Sequence, residues 1–420
     1  MMIKLTDILP QSNTKINQLH LAATMLFLAL FAFPLYPVHL ANVLLMVLAA
    51  LTLTALFIKP IPVGKTILRN LIFVLPFIPY LVEFCITGFD PIARFEFEKK
   101  LFFFTAIFII PVFIDVTGFR NYKLALLVFS LSVSALCLYS FAALLIMGIP
   151  FHASAYENGS YILRHNFEVL SGLQSTYYSI FALSAACFLF NASFLDKKKL
   201  RITCNIISAI LLISVFYLAV RIAFLTVGVI FLIWIACSKK VLWKKIFLGL
   251  ATVAVLIAVS FVVPSLKSRL SEFVWLEEGP MDNANTISQR TMIMNCSMKV
   301  FSENIFTGTG SAHFQQKLSD CYTSHDWQQG AAVNFNPHNQ YLSLGINYGL
   351  IMLIVFIVCL FMIFRKVFKF SEGKYFGIAI ILFFLTESML EREMGVYFFG
   401  LIALLLYNMK PEPINRISNL

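Results

Sequence analysis

About twelve stretches of roughly 17 to 25 apolar residues follow one another along the chain. At a rise of about 1.5 Å per residue, each is long enough to cross the ~30 Å hydrocarbon core of a bilayer. Hydrophobic residues make up 60% of the 420 positions and charged residues only 13%, with a mean hydropathy of +0.84, which excludes an ordinary soluble fold. The chain therefore reads as an all-α polytopic membrane protein, and its chemistry must sit where lipid meets water.

Hydropathy places twelve spans, near 20–36, 38–58, 67–88, 101–118, 123–148, 173–194, 202–220, 222–237, 246–264, 340–364, 376–390 and 395–409. With the N-terminus inside and the side alternating at each span, 21 of the 32 Lys and Arg residues fall in short inside loops. The other 11 fall outside, mostly in two longer loops with acidic neighbours. This is the distribution that the positive-inside rule requires, so both termini are expected in the cytoplasm. The same rule accounts for most of the net charge of +11, and no nucleic-acid partner is expected. The first apolar run lacks a small-residue cleavage site and leads straight into the second, so the first helix is expected to be retained.

This topology predicts three regions: transmembrane helices 1 to 9 over 1–264, a large periplasmic loop over 265–339, and helices 10 to 12 with a cytoplasmic tail over 340–420. The outer face also receives a middle loop, 149–172, and an acidic turn with Glu387, Glu391 and Glu393. A long loop between spans is usually functional. Within it, Ser288 to Glu303 has Met292, Cys296 and Val300 at a spacing of four, which predicts an amphipathic helix ended by Gly308 and Gly310. Of the eight cysteines, Cys296 and Cys321 share this polar loop, where they could close a disulfide in an oxidising periplasm or stay as two free thiols. The other six lie in or at the ends of apolar spans and behave as small hydrophobes.

Three residues stand out for chemistry. Arg221 is a lone charge between two apolar runs, where a cation snorkels to lipid headgroups or meets a partner or ligand. Arg290 opens the loop helix, and His338 follows Pro337 at the outer mouth of the tenth span. Read singly, each has a bland explanation: a solvated charge for Arg290, a hydrogen-bonded interfacial imidazole for His338. Read together, the topology puts two guanidiniums and an imidazole on one side of the membrane. Guanidinium forks bind phosphate oxygens bidentately and stabilise the charge that grows on a departing diphosphate. An imidazole of ordinary pKa near 6.5 is suited to take a proton from an attacking hydroxyl. Such a set fits glycosyl transfer from a polyprenyl-diphosphate donor without a metal.

Other signals are weaker. Glu277, Glu278 and Asp282 could bind a cation if folded together, but no DxD-type pair marks the outer loops. No P-loop is present, and Gly308-Thr309-Gly310 is too short for a phosphate fingerprint. His152, Arg164 and His165 in the middle loop read as surface residues.

The assembled motifs resemble the O-antigen ligase family of membrane glycosyltransferases, which includes O-antigen polymerases and some protein O-oligosaccharyltransferases. The resemblance covers most of the chain as about twelve spans with one large late loop. It is sharper at Leu218-Ala219-Val220-Arg221, at Ser288-Gln289-Arg290-Thr291 through Thr307-Gly308-Thr309-Gly310, and at Pro337-His338-Asn339-Gln340 with Gly345 and Gly349 further on. Glu98-Lys99-Lys100-Leu101 and Thr176-Tyr177-Tyr178-Ser179 look like weaker family patterns.

The resemblance implies an inverting, metal-independent and cofactor-free transfer of a glycan from undecaprenyl diphosphate to an acceptor hydroxyl at the periplasmic face of the bacterial inner membrane. Arg221 and Arg290 would bind the diphosphate, His338 would activate the acceptor, and Asn339 and Gln289 would support them. In a ligase the acceptor is lipid A-core, and the product is complete lipopolysaccharide; in a polymerase it is a second lipid-linked glycan. Compact length and a single dominant loop favour the ligase. A lipid or ion transporter using the same basic cavity is the alternative of another class, against which stands the lack of paired internal repeats.

Overall fold

The computed structural model describes residues 14–88, 90–149, 159–190, 197–237, 243, 246–247 and 286–410. Residues 248–285, outside this set, carry nearly all of the ninth predicted span, the first part of the large loop, and Glu277, Glu278 and Asp282; His152 also falls outside it. Among the described residues every regular element is helical.

In chain order these are α1 (Thr14–Leu30), α2 (Val38–Ile58), α3 (Val63–Asn70), α4 (Ile78–Ile86), α5 (Pro91–Thr117), α6 (Tyr122–Ile146), α7 (Gly159–Ser171) and α8 (Ser175–Phe190). There follow α9 (Lys198–Tyr217), α10 (Arg221–Cys237), α11 (Thr286–Glu303), α12 (Phe314–Ser324), α13 (Gln328–Val333), α14 (Gln340–Val367), α15 (Ser371–Phe384) and α16 (Glu393–Asn408). Five of them, α2, α5, α6, α9 and α14, are long and apolar enough to cross a membrane, and two bent pairs raise the number to as many as seven.

The bent pairs correct the hydropathy reading. The span predicted over 67–88 is broken by 59° between Val63–Phe73 and Leu75–Ile86. Pro76 and Pro79 stand at the break, where each removes a backbone donor and cannot continue the preceding turn. The middle loop contains a helix, α7, and Ile162–Ser171 meets Ser175–Phe190 at 70°. Gly172, at φ 66°, makes the corner.

α5 also begins ten residues before the predicted 101. Asp90 caps it, its Oδ1 accepting from Ile92 N at 2.9 Å and Ala93 N at 3.0 Å. Hydropathy misses this first part because Glu96, Lys99 and Lys100 lower the local average, although Glu96 and Lys100 point inward and are buried.

α16 is the central pillar. From Gly395 to Asn408 every residue is buried, and its rings interlock with neighbours, Tyr397 against Phe102 at 4.3 Å and Phe398 against Phe181 at 4.6 Å between centroids. The outer helices are apolar on both sides. On α9, Ile202, Ile206, Ile210 and Ile213 form an exposed stripe at helical spacing, suited to lipid.

The large loop has its own small core, in which Ile293, Cys296 and Val300 of α11 pack on Phe314, Leu318 and Tyr322 of α12 and on Trp327. Cys296 and Cys321 are joined as a disulfide, with Cα atoms 5.8 Å apart, which decides between the two states the sequence left open. The loop docks into a break in α14. At Gly349 (φ 77°) that helix unwinds, and the backbone of 305–310 supplies the missing hydrogen bonds: Leu350 N donates to Ile305 O, Thr309 N to Ile346 O and Gly310 N to Asn347 O, at 2.7 to 2.9 Å. A Cβ on Gly308 would overlap the Asn347 carbonyl, and one on Gly349 the Phe306 carbonyl, so both glycines are needed for close backbone approach.

Candidate active site

Arg221 is the first residue of α10. It follows a tight turn in which Ala219 adopts φ 49°, a left-handed conformation uncommon for a residue with a Cβ. The turn aims both the guanidinium and the start of α10, with its partial positive charge, at the same space. His338 is similarly constrained, at φ 46°, with its N–H donating to Asn336 Oδ1 at 3.0 Å. Asn339 then caps α14: its Oδ1 accepts from Leu342 N at 3.0 Å, its Nδ2 donates to Leu385 O at 3.1 Å, and its own N–H donates to Ser388 Oγ at 3.2 Å. Those bonds fix the start of α14 against the turn that follows α15.

That turn carries Glu387, which is 8% exposed. Its Oε2 lies 3.2 Å from His338 Nδ1 and its Oε1 3.5 Å from Arg290 Nη2. Arg221, Arg290, His338, Glu387 and Gln289 line one cavity of about 240 Å³. The structure thus brings together the three residues singled out from sequence and Gln289 beside them, while Asn339 acts behind the cavity as a helix cap.

Arg164 and Thr176 line it as well. This corrects the reading of Arg164 as a surface residue: its Nη2 donates to Ser175 Oγ at 2.6 Å and lies 3.8 Å from Glu168 Oε1, while Ser175 N donates to Glu168 Oε1 at 2.8 Å. The α7–α8 corner is therefore pinned by the residue that faces the cavity. In the sequence Arg164 reads as a surface charge because its helix, α7, lies within a stretch too polar to stand out from a loop, and Glu387 is visible only as one acid in a turn.

The turn of Glu387 is clamped from below. Lys100, fully buried, places Nζ 2.7 Å from Glu391 Oε2 and donates to the Leu390 carbonyl. Tyr80 OH donates to Glu391 Oε1 at 3.3 Å, and Leu390 N donates to Gln340 Oε1 at 2.6 Å. Burial alone would raise the Glu391 carboxyl, but Lys100, Lys99 and the hydrogen bonds of Lys100 and Gln340 outweigh it and hold it below the usual carboxylate range. The pattern around Lys99-Lys100 thus has a structural reason.

Three guanidiniums and a helix start around one carboxylate-paired imidazole form a cavity suited to a large anion with a reacting hydroxyl beside it. Among the described residues, one group of metal-ligand type occurs elsewhere, Cys296, Cys321 and His325, and the disulfide occupies both of its sulfurs.

Fold and cavity together describe a multi-pass helical membrane protein in which one cavity is lined by three guanidiniums and an imidazole. The family model described as O-antigen ligase matches residues 206–357, a segment that contains Arg221, Arg290 and His338, so the family that the motifs resemble is the one whose model this segment matches. By that match the segment is similar to enzymes of the O-antigen ligase or polymerase type, a family of lipopolysaccharide biosynthesis whose substrates are lipid-linked glycans and a lipid acceptor. No curated protein and no solved structure matches the chain.

Proposed function

We propose that this protein transfers a glycan from undecaprenyl diphosphate to a hydroxyl of lipid A-core at the periplasmic face of the inner membrane, as an inverting O-antigen ligase with both termini in the cytoplasm. The observation that carries this reading is the convergence of Arg221, Arg290 and the Glu387-paired His338 on one cavity.

In this mechanism Glu387 accepts the Nδ1 hydrogen of His338, which leaves Nε2 with its lone pair facing the acceptor. The acceptor hydroxyl gives its proton to Nε2 as its oxygen bonds to the anomeric carbon from the face opposite the diphosphate. The carbon–oxygen bond to the diphosphate breaks, its electron pair passes to the leaving oxygen, and Arg221 and Arg290 hold the new charge. Arg164 adds a third positive charge. Charge-assisted hydrogen bonds of this kind contribute about 1.5–3 kcal/mol each, so the guanidiniums supply what a divalent ion provides elsewhere.

A larger cavity, of about 1080 Å³, is lined among others by Gln174, Tyr177, Asn334, Asn336 and Arg392. Amides and an aromatic ring suit sugar hydroxyls and faces, and the space accommodates a second, bulky glycan.

The test is reconstitution with a lipid-linked glycan and either lipid A-core or a second lipid-linked glycan. One block joined to core supports ligation. A growing ladder on the lipid carrier assigns the polymerase reaction instead, and no product in either case overturns glycosyl transfer.

A further inference from the structure

At the other end of the bundle the chain builds a second charged cavity, of about 460 Å³. α16 runs from Glu393, beside the turn of Glu387, to Asn408 in the second cavity, about 24 Å at 1.5 Å per residue, so the two cavities lie toward opposite ends of the helical body. Five cations line the second, Arg69, Arg120, Lys366, Lys369 and Lys410, facing a single carboxylate, Asp115. The glycosyl-transfer reading gives none of them a role.

The floor is a fixed polar network. Asn408 Nδ2 donates to Asn70 Oδ1 at 2.8 Å and Asn70 Nδ2 donates back to Asn408 Oδ1 at 3.1 Å, both side chains being buried. Arg69 Nη2 donates to the same Asn408 Oδ1 at 2.7 Å and lies 3.5 Å from Asp115 Oδ2, which also accepts from Thr66 Oγ1 at 2.7 Å. The guanidinium is thereby oriented before any ligand arrives. Lys366 Nζ sits 3.8 Å from the centre of the Tyr407 ring, a cation–π contact that holds its stem at the wall.

So many positive charges around one acid repel one another, and an anion in the cavity relieves that repulsion. The walls are also apolar, with Phe370, Leu406 and Met409 beside the charges. A cavity that is basic at the helix ends and apolar alongside suits a phosphate that carries acyl chains better than one free in water. We propose that this cavity binds the phosphate headgroup of an anionic glycerophospholipid.

The proposal is tested by native mass spectrometry of the purified full chain titrated with phosphatidylglycerol or phosphatidylcholine, for wild type, for the double variant Arg120→Gln with Lys369→Gln, and for Arg69→Gln. The expected result is at least tenfold preference for phosphatidylglycerol in wild type and its loss in both variants. A control with Lys197→Gln and Lys199→Gln, exposed lysines before and in α9, keeps the preference. Equal retention of the two lipids by wild type, or an unchanged preference in the double variant, overturns the site. Displacement of the lipid by inorganic phosphate at equal concentration overturns the lipid assignment in favour of a soluble anion.

Discussion

Glu387 holds His338 by Nδ1 at 3.2 Å, and with its other oxygen lies 3.5 Å from Arg290. One buried carboxylate thus orients the proposed base and one of the cations proposed to bind the diphosphate. The arrangement joins two duties that sequence alone would assign to unrelated loops.

Replacing His338 by Ala is expected to lower glycan transfer by roughly 10²–10⁴-fold while leaving expression and membrane insertion intact. Glu387→Gln should fall in the same direction but by less, through kcat, because the ring keeps its place and loses its preferred tautomer. A transporter would show neither effect, and unchanged transfer in His338→Ala would remove the imidazole from the reaction.

Arg221→Lys is expected to restore little of the activity lost in Arg221→Ala, since an ammonium is a point charge without the planar fork. Transfer at the wild-type rate in the lysine variant would count against bidentate phosphate binding. The same cations predict full activity in excess chelator; loss on chelation with recovery on adding a divalent ion would overturn the metal-free mechanism.

Lys100→Ala should be among the most destabilising single changes in the chain. It leaves the buried Glu391 carboxylate without its ion-pair partner, at a cost of about 3–5 kcal/mol. The double variant Lys100→Met with Glu391→Gln should recover much of the thermal stability in detergent. If it instead restored transfer no better than Lys100→Ala while regaining stability, the pair would be needed to position Glu387 as well.

Acid should loosen the same turn. Glu391 is held below its ordinary value of 4.5. As the pH falls through and below that value the unfolded chain takes up a proton that the folded chain refuses, and stability declines. Above it the contribution is fully present. Unfolding midpoints measured from pH 7 downward should drop more steeply for wild type than for Glu391→Gln; parallel curves would deny the carboxylate this role.

Opening the Cys296–Cys321 disulfide should weaken the loop core that carries Arg290. Closure of a loop of this length contributes roughly 3.5 kcal/mol. Cys296→Ser with Cys321→Ser should therefore lower the thermal midpoint and speed proteolysis between α11 and α12, and equal proteolysis rates would show the bridge to be dispensable.

Much of this molecule was legible in one dimension. The apolar runs gave the helices of the body, and the spacing of Met292, Cys296 and Val300 gave the loop helix, now seen over Thr286–Glu303. Three isolated polar residues in apolar or loop surroundings drew attention to Arg221, Arg290 and His338, which the fold brings around one cavity. Other features were hidden. Hydropathy averages over a window, so it took the charged first part of α5 for a loop and ran the Pro76–Pro79 break into one span. It also had no means of showing that Arg164 turns inward or that Glu387, rather than Glu391 or Glu393, faces the imidazole.

The sequence by itself determined that this chain lies in a membrane as helices, because the length and apolarity of a segment are local quantities that lipid reads directly. Which charges meet was decided only by the tertiary structure. Lys100 and Glu391, or His338 and Glu387, are brought into contact by the packing of helices distant in sequence. The energy of such a pair depends on distance and burial, and neither is written in the order of the residues.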